Sequence, residues 1–260
     1  MKITIITLFP DMMSGFFEES ILKRAIDKKL IEIELIDLRD FAYDRYKTVD
    51  DRPYGGGSGM ILKVDILRDA INKARGKIKK RKMKTVLTSP KGIKYTQSKA
   101  WEYSKLKHLI LVTGHYEGHD ERIANYVDEE ISIGDFVLTG GEIVAVSIVD
   151  SIVRLLPGVL KKEEAVLEES FSEVLVSDLE KAVGKNKELD RFIKNGIKKI
   201  RLLEYPQYTR PVEFEGKSVP KILLRGDHKK IKDWRLKKAF EATLKLRPDL
   251  LEDLTTSSST

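Results

Sequence analysis

The chain of 260 residues has no cysteine. That absence excludes disulfides, thiolate metal sites and cysteine nucleophiles. Histidine is scarce, with four residues, and no structural metal is expected from so few ligands. No apolar run reaches the roughly 18 residues that a membrane-spanning helix needs. The opening stretch, Met1-Lys2-Ile3-Thr4-Ile5-Ile6-Thr7-Leu8-Phe9-Pro10, is too short and too β-branched to read as a leader peptide. The expectation is a soluble, cytoplasmic protein.

What remains is ordinary in bulk and unusual in sign. Apolar residues make up 41% and charged residues 34% of the chain, a globular balance, and the formal net charge is +7. A length of 260 residues suffices for one large domain or two modest ones. A basic surplus points to an anionic partner, nucleic acid being the commonest.

Strand and helix patterns alternate through the first part of the chain. Lys2–Leu8 reads as a buried strand closed by Phe9-Pro10. Gly15–Lys28 carries Phe17, Ile21, Ala25 and Ile26 at helical spacing, and Ile31, Ile33 and Leu35 alternate with acids as a second strand. Val64–Ala74 and Gln97–Ser104 read as helices, and Thr85-Val86-Leu87 as a strand ending at Ser89-Pro90. Leu109-Ile110-Leu111-Val112-Thr113 has a buried strand's composition. This alternation predicts a parallel α/β sheet over roughly residues 1–160. Residues 161–201 are charge-rich, with an excess of four positive charges between 177 and 201, and read as a connector. In it Ser177-Asp178-Leu179-Glu180 fits a capping box. A small, mainly helical domain is expected over 202–254, and a disordered tail over 255–260.

Two turns stand out. Gly114-His115-Tyr116-Glu117-Gly118 follows the 109–113 strand, and Ser132-Ile133-Gly134-Asp135 through Thr139-Gly140-Gly141-Glu142 precedes a helix-like segment, 143–155. Glycines where strands become turns let backbone amides and carbonyls approach a ligand, so these turns predict a small-molecule pocket at one edge of the sheet. The Gly55–Gly59 loop fits neither G-x-x-x-x-G-K-[ST] nor G-x-G-x-x-G, and gives no support to a P-loop or dinucleotide site.

A series of motifs then resembles one family nearly end to end. They are Ile6–Pro10, Asp51-Arg52-Pro53-Tyr54-Gly55-Gly56-Gly57-Ser58-Gly59-Met60, Ser89-Pro90-Lys91-Gly92, both glycine turns, and Asp150-Ser151-Ile152-Val153-Arg154. Tyr205-Pro206-Gln207-Tyr208-Thr209-Arg210-Pro211, Arg225-Gly226-Asp227-His228 and Arg247-Pro248-Asp249-Leu250-Leu251 follow. In this order they resemble the bacterial tRNA (guanine-N1)-methyltransferases, the TrmD family of the SPOUT superfamily. The resemblance implies S-adenosylmethionine as methyl donor and N1 of guanosine 37 of tRNA, just 3′ of the anticodon, as acceptor. It also implies a deep trefoil knot in the catalytic domain and a homodimer. It leaves open whether Mg2+ takes part.

The resemblance also implies roles for residues. The family's general base is an aspartate in Asp-Ser-Phe, which reads Glu169-Ser170-Phe171 here, one methylene longer, with Glu168 as the alternative acid. Arg154 matches the arginine that stabilises charge at guanine O6. Donor binding maps to Leu87, Thr88, Ser89 and Pro90; to Gly114, Tyr116, Glu117 and Gly118; and to Ser132, Ile133, Gly134, Asp135, Leu138, Gly140 and Gly141. Glu117 and Asp135 would bias the pocket toward a cation. Asp50, Arg52 and Tyr54 would face RNA near the target base. From charge rather than from the resemblance, Lys229, Lys230, Lys232, Arg235, Lys237 and Lys238 read as a basic surface for phosphates, with a solvated helix face as the alternative. The segment between Phe171 and Leu202 is longer than the family pattern. A methyltransferase acting on another RNA and a non-catalytic RNA-binding protein are the competing readings.

Overall fold

The structure is a computed structural model that describes residues 1–76, 82–161, 166 and 168–252. The expected tail, 255–260, lies outside them. The chain divides into two compact units, Met1–Lys161 and Lys162–Thr260.

The first unit runs β1 (Lys2–Thr7), α1 (Pro10–Phe17), α2 (Ser20–Asp27), β2 (Glu32–Asp37), β3 (Asp50–Asp51), β4 (Ile61–Leu62), α3 (Val64–Arg75), β5 (Met83–Lys94), α4 (Gln97–Ser104), β6 (His108–Val112), β7 (Glu129–Ser132) and α5 (Glu142–Val153). Its main sheet has the order β2-β1-β6-β5-β7, all parallel. The central strands are apolar on both faces: Ile3, Ile5, Leu109 and Leu111 are fully buried, as are Ile110 and Val112. That is how a parallel sheet covered by helices reads in sequence.

The helix expected over 15–28 is two helices. Proline at the first position starts α1 earlier than the periodicity suggests, and Ser20, at φ 56°, breaks the run before α2. β5 outlasts its expected end, but its register on β7 slips between Thr88 and Ile93. Pro90 has no N–H for the ladder, so 89–92 bulge outward, and Ser89 Oγ accepts the Lys91 N–H at 3.2 Å.

The second unit corrects the reading of 161–201 as a connector. Its elements are β8 (Ser172–Leu175), α6 (Val176–Val183), α7 (Lys187–Lys194), β9 (Lys199–Leu202), β10 (Glu213–Phe214), β11 (Lys217–Ser218), α8 (His228–Leu246) and α9 (Asp249–Glu252). β8 and β9 pair antiparallel, Ser172 opposite Leu202. Val176, Leu179, Leu189, Phe192, Ile200 and Leu202 share one core with Ala239, Phe240 and Leu251. Six apolar anchors were hidden among charges because each helix contributes only two. The capping box is not formed: Ser177 lies inside α6, whose N-cap is Leu175 without a side-chain cap.

Candidate functional site

The irregular middle of β5 and the C-terminal ends of β6 and β7 open into a cavity of about 320 Å³, within the range of small-molecule sites. Three turns wall it. From β5 come Thr88, Ser89 and Pro90; from β6, Gly114, Tyr116, Glu117 and Gly118; after β7, Ser132, Ile133, Gly134, Leu138, Gly140 and Gly141. Two residues of the expected set do not line it. Leu87 is 1% exposed and packs into the core with Ile6, Leu8 and Val112, because alternation along β5 points it away from the strand's cavity-facing side. Asp135 stands in the turn without facing the cavity. Lys91, His115, His119, Phe136, Val137 and Thr139 also line the wall; all but Lys91 lie in or next to the two segments read as the pocket's turns, though the resemblance assigns none of them to the donor. Their proximity to the glycines was the one signal for them.

Backbone contacts hold the wall together. The Gly141 N–H donates to Gly114 O at 2.8 Å, and His115 and Gly140 form an isolated bridge. The Gly114 N–H donates to Thr88 Oγ1 at 3.3 Å. A β-carbon on Gly141 would overlap Thr88 Oγ1 and come within 2.8 Å of Gly114 N and 3.0 Å of Thr113 Cα, so only glycine fits between the turns. Beneath them Glu142, 2% exposed, opens α5. Its Oε1 accepts from Thr7 Oγ1 at 2.8 Å and Thr113 Oγ1 at 3.3 Å.

The Gly114 turn also ties down the loop before β4. The Glu117 N–H donates to Met60 O at 3.1 Å, and the Leu62 N–H to Gly118 O at 3.0 Å. Asp50 is in the β3–β4 ladder opposite Leu62, whereas Arg52 and Tyr54 are exposed. The hydrogen bonds of the Arg122 guanidinium hold the Asp120 carboxyl down to about 2. Burial pushes His119 below the ordinary imidazole range. His115 and His119 are four apart but lie on a turn, and no group of three or more His, Asp or Glu among the described residues could hold a metal.

Arg154 lies just past the last residue of α5, while Gly140 and Gly141 stand before its first. At 1.5 Å per residue the two ends are about 20 Å apart, beyond the reach of an arginine side chain. Arg154 and the cavity of the same chain therefore do not meet.

In the second unit the Glu169-Ser170-Phe171 segment is fastened to the end of β9. Ser170 Oγ accepts the Glu204 N–H at 3.0 Å, and the Phe171 N–H donates to Leu202 O at 2.7 Å. Phe171 takes φ 72°, the left-handed region that tertiary contacts must enforce. Glu168 faces Arg235 at 3.9 Å, and the Arg235 guanidinium lies over the Tyr205 ring at 4.7 Å. Arg235, expected at an RNA phosphate, thus has partners inside its own unit. Lys229 and Lys230 are exposed at the start of α8; Lys230 pairs with Asp227 at 3.0 Å.

Parallel strands that meet in a glycine-walled cavity define an α/β protein with a cavity of small-molecule size, here with a basic second unit. The chain belongs to the family described as tRNA (Guanine-1)-methyltransferase TrmD, whose model matches residues 1–253. It is 47% identical over 254 residues to the tRNA (guanine-N(1)-)-methyltransferase of Geobacillus kaustophilus, covering 97% of this chain and 92% of that protein. The similarly named Dictyoglomus turgidum protein is 47% identical over 97% of this chain and 90% of its own length. The Clostridium botulinum one is 44% identical over 98% and 94%.

Proposed function

We propose that the protein methylates N1 of guanosine 37 in tRNA, using S-adenosylmethionine, and that it works as a homodimer whose first unit is a knotted SPOUT catalytic domain in the cytoplasm. Among the described residues no helix is long and apolar enough to cross a membrane. The observation that carries the reading is the cavity walled by the Gly114 and Gly140-Gly141 turns, in a chain of this family. The passage of Gly141 against Thr113 and Gly114 supports the knot, since a threaded chain needs such a close crossing.

When bound, the donor supplies an electrophilic methyl on a cationic sulfur. The cavity suits it: exposed backbone groups on three turns can hold a nucleoside, and Glu117 places a carboxylate on the wall. Guanine N1 carries a proton and attacks poorly until a base removes it. In this reading Glu169 would take that proton, leaving N1 free to accept the methyl that the donor would supply when bound. Arg154, always cationic and rich in donors, stabilises negative charge at O6. Arg52 and Tyr54 lie on the RNA-facing loop, where a flipped nucleotide would expose its Watson–Crick edge.

The separation of Arg154 from its own cavity supports the dimer: a complete site needs the arginine of a second copy. Met12, Phe16 and Ile143, on the α1 and α5 helices that pack together, are large apolar side chains left exposed, as an association surface would have them.

The test is methyl transfer to tRNA transcripts carrying guanosine or adenosine at position 37, with and without Mg2+. Transfer to the guanosine transcript alone is expected. Equal methylation of both would overturn the assignment. Gly141→Ala is expected to weaken donor binding by about 5- to 150-fold, because the added methyl must displace the wall and forced overpacking costs roughly 1–3 kcal/mol. Calorimetric titration with S-adenosylmethionine reads this, and unchanged affinity would remove the Gly141 wall from the site.

A further inference from the structure

The segment 173–201 is absorbed into the second unit's core, yet its outer face has no assigned purpose. On α7, Lys187, Arg191 and Lys194 are spaced i, i+4, i+7 and share one side of the helix, where they line a single shallow depression with Asp190 and Asn195. The opposite side buries Leu189 and Phe192. Lys198 follows on the way into β9, and Lys185 precedes α7; both are exposed.

Charge on this surface is not balanced. Three carboxylates are taken up locally: Asp178 by Lys181 at 3.2 Å, Glu188 by Arg191 at 3.4 Å, and Glu173 by Lys199 at 3.2 Å. Among the described residues Lys185, Lys187, Lys194 and Lys198 form no ion pair within 4 Å; Asp190, in the same depression, offsets one of these charges and leaves a surplus of three. Solubility alone needs charge of either sign, and exposed ion pairs contribute little to stability. A positive surplus gathered on one helix face, opposite its buried side, suits a polyanion.

We infer that this face is a second phosphate-binding surface for the RNA substrate, formed by the segment that exceeds the family pattern. The inference rests on the tRNA reading above. Each cation that neutralises a phosphate releases a counterion, which steepens the salt dependence of binding by about 0.7–0.9 per contact.

The experiment compares the full-length protein with two triple variants: Lys187→Gln/Lys194→Gln/Lys198→Gln, and the same three positions changed to arginine. Methylation of a tRNA transcript is followed at several salt concentrations. In the glutamine variant the KM for tRNA is expected to rise at least about 10-fold, and the slope of log KM against log salt to flatten by about 2. The kcat at saturating tRNA and the donor affinity stay as in the parent. The arginine variant should behave like the parent. An unchanged KM and slope in the glutamine variant would overturn the inference, as would equal losses in both variants. Failure of the parent itself to methylate tRNA would instead sink the reading beneath it.

Discussion

Glu169→Ala is expected to lower turnover by about 10²- to 10⁴-fold, the range for loss of a well-placed general base, with donor affinity unchanged. A base must lie about 2.6–3.2 Å from the proton it takes, so its backbone must be held. The Ser170–Glu204 and Phe171–Leu202 hydrogen bonds and the left-handed Phe171 hold it. Glu168 faces Arg235 instead. Glu168→Ala is therefore expected to reduce turnover far less. Single-turnover methylation by the two variants decides: normal chemistry in Glu169→Ala with loss in Glu168→Ala would move the base one position.

Arg154→Ala is expected to lower turnover by about 10²- to 10³-fold, as for removal of a stabiliser of developing charge. Its position makes a stronger test. Because Arg154 and the glycine cavity occupy opposite ends of α5, a closed two-fold dimer would build each site from one copy's cavity and the other's arginine. A hybrid of Arg154→Ala with Gly141→Ala would then hold one site with both defects and one with neither. With the donor held well below the concentration that Gly141→Ala needs, a random mixture should recover about a quarter of parental activity above the residual of the homodimers, since half the dimers are hybrids with one intact site. No recovery above the two homodimers would place Arg154 and the cavity in the same chain's site and contradict the helix length.

Local patterns carried much of this. Strand periodicity gave β1, β2 and β6 to within a residue or two, and α4 appears as read, because these elements are specified by side chains a few positions apart. The glycine turns were legible for the same reason: few other residues let a backbone pass so close. Arg235 was read as a phosphate contact because its charge is visible in sequence, whereas the Tyr205 ring beneath it lies 30 residues away. His115 sits inside the Gly114 turn and so was legible as a wall residue, whereas its bridge to Gly140 was not, because Gly140 lies 25 residues further along the chain.

The sequence by itself determined the alternating α/β pattern, the basic surplus, the positions of the turns and the chemical kinds of residue a methyl transfer needs. The tertiary structure decided which of them meet. It turned Leu87 into the core, placed Arg154 at the far end of α5, and closed 173–201 over α8. The physical reason is range: propensity and turn chemistry act within about ten residues, whereas these outcomes depend on packing between segments far apart in the chain.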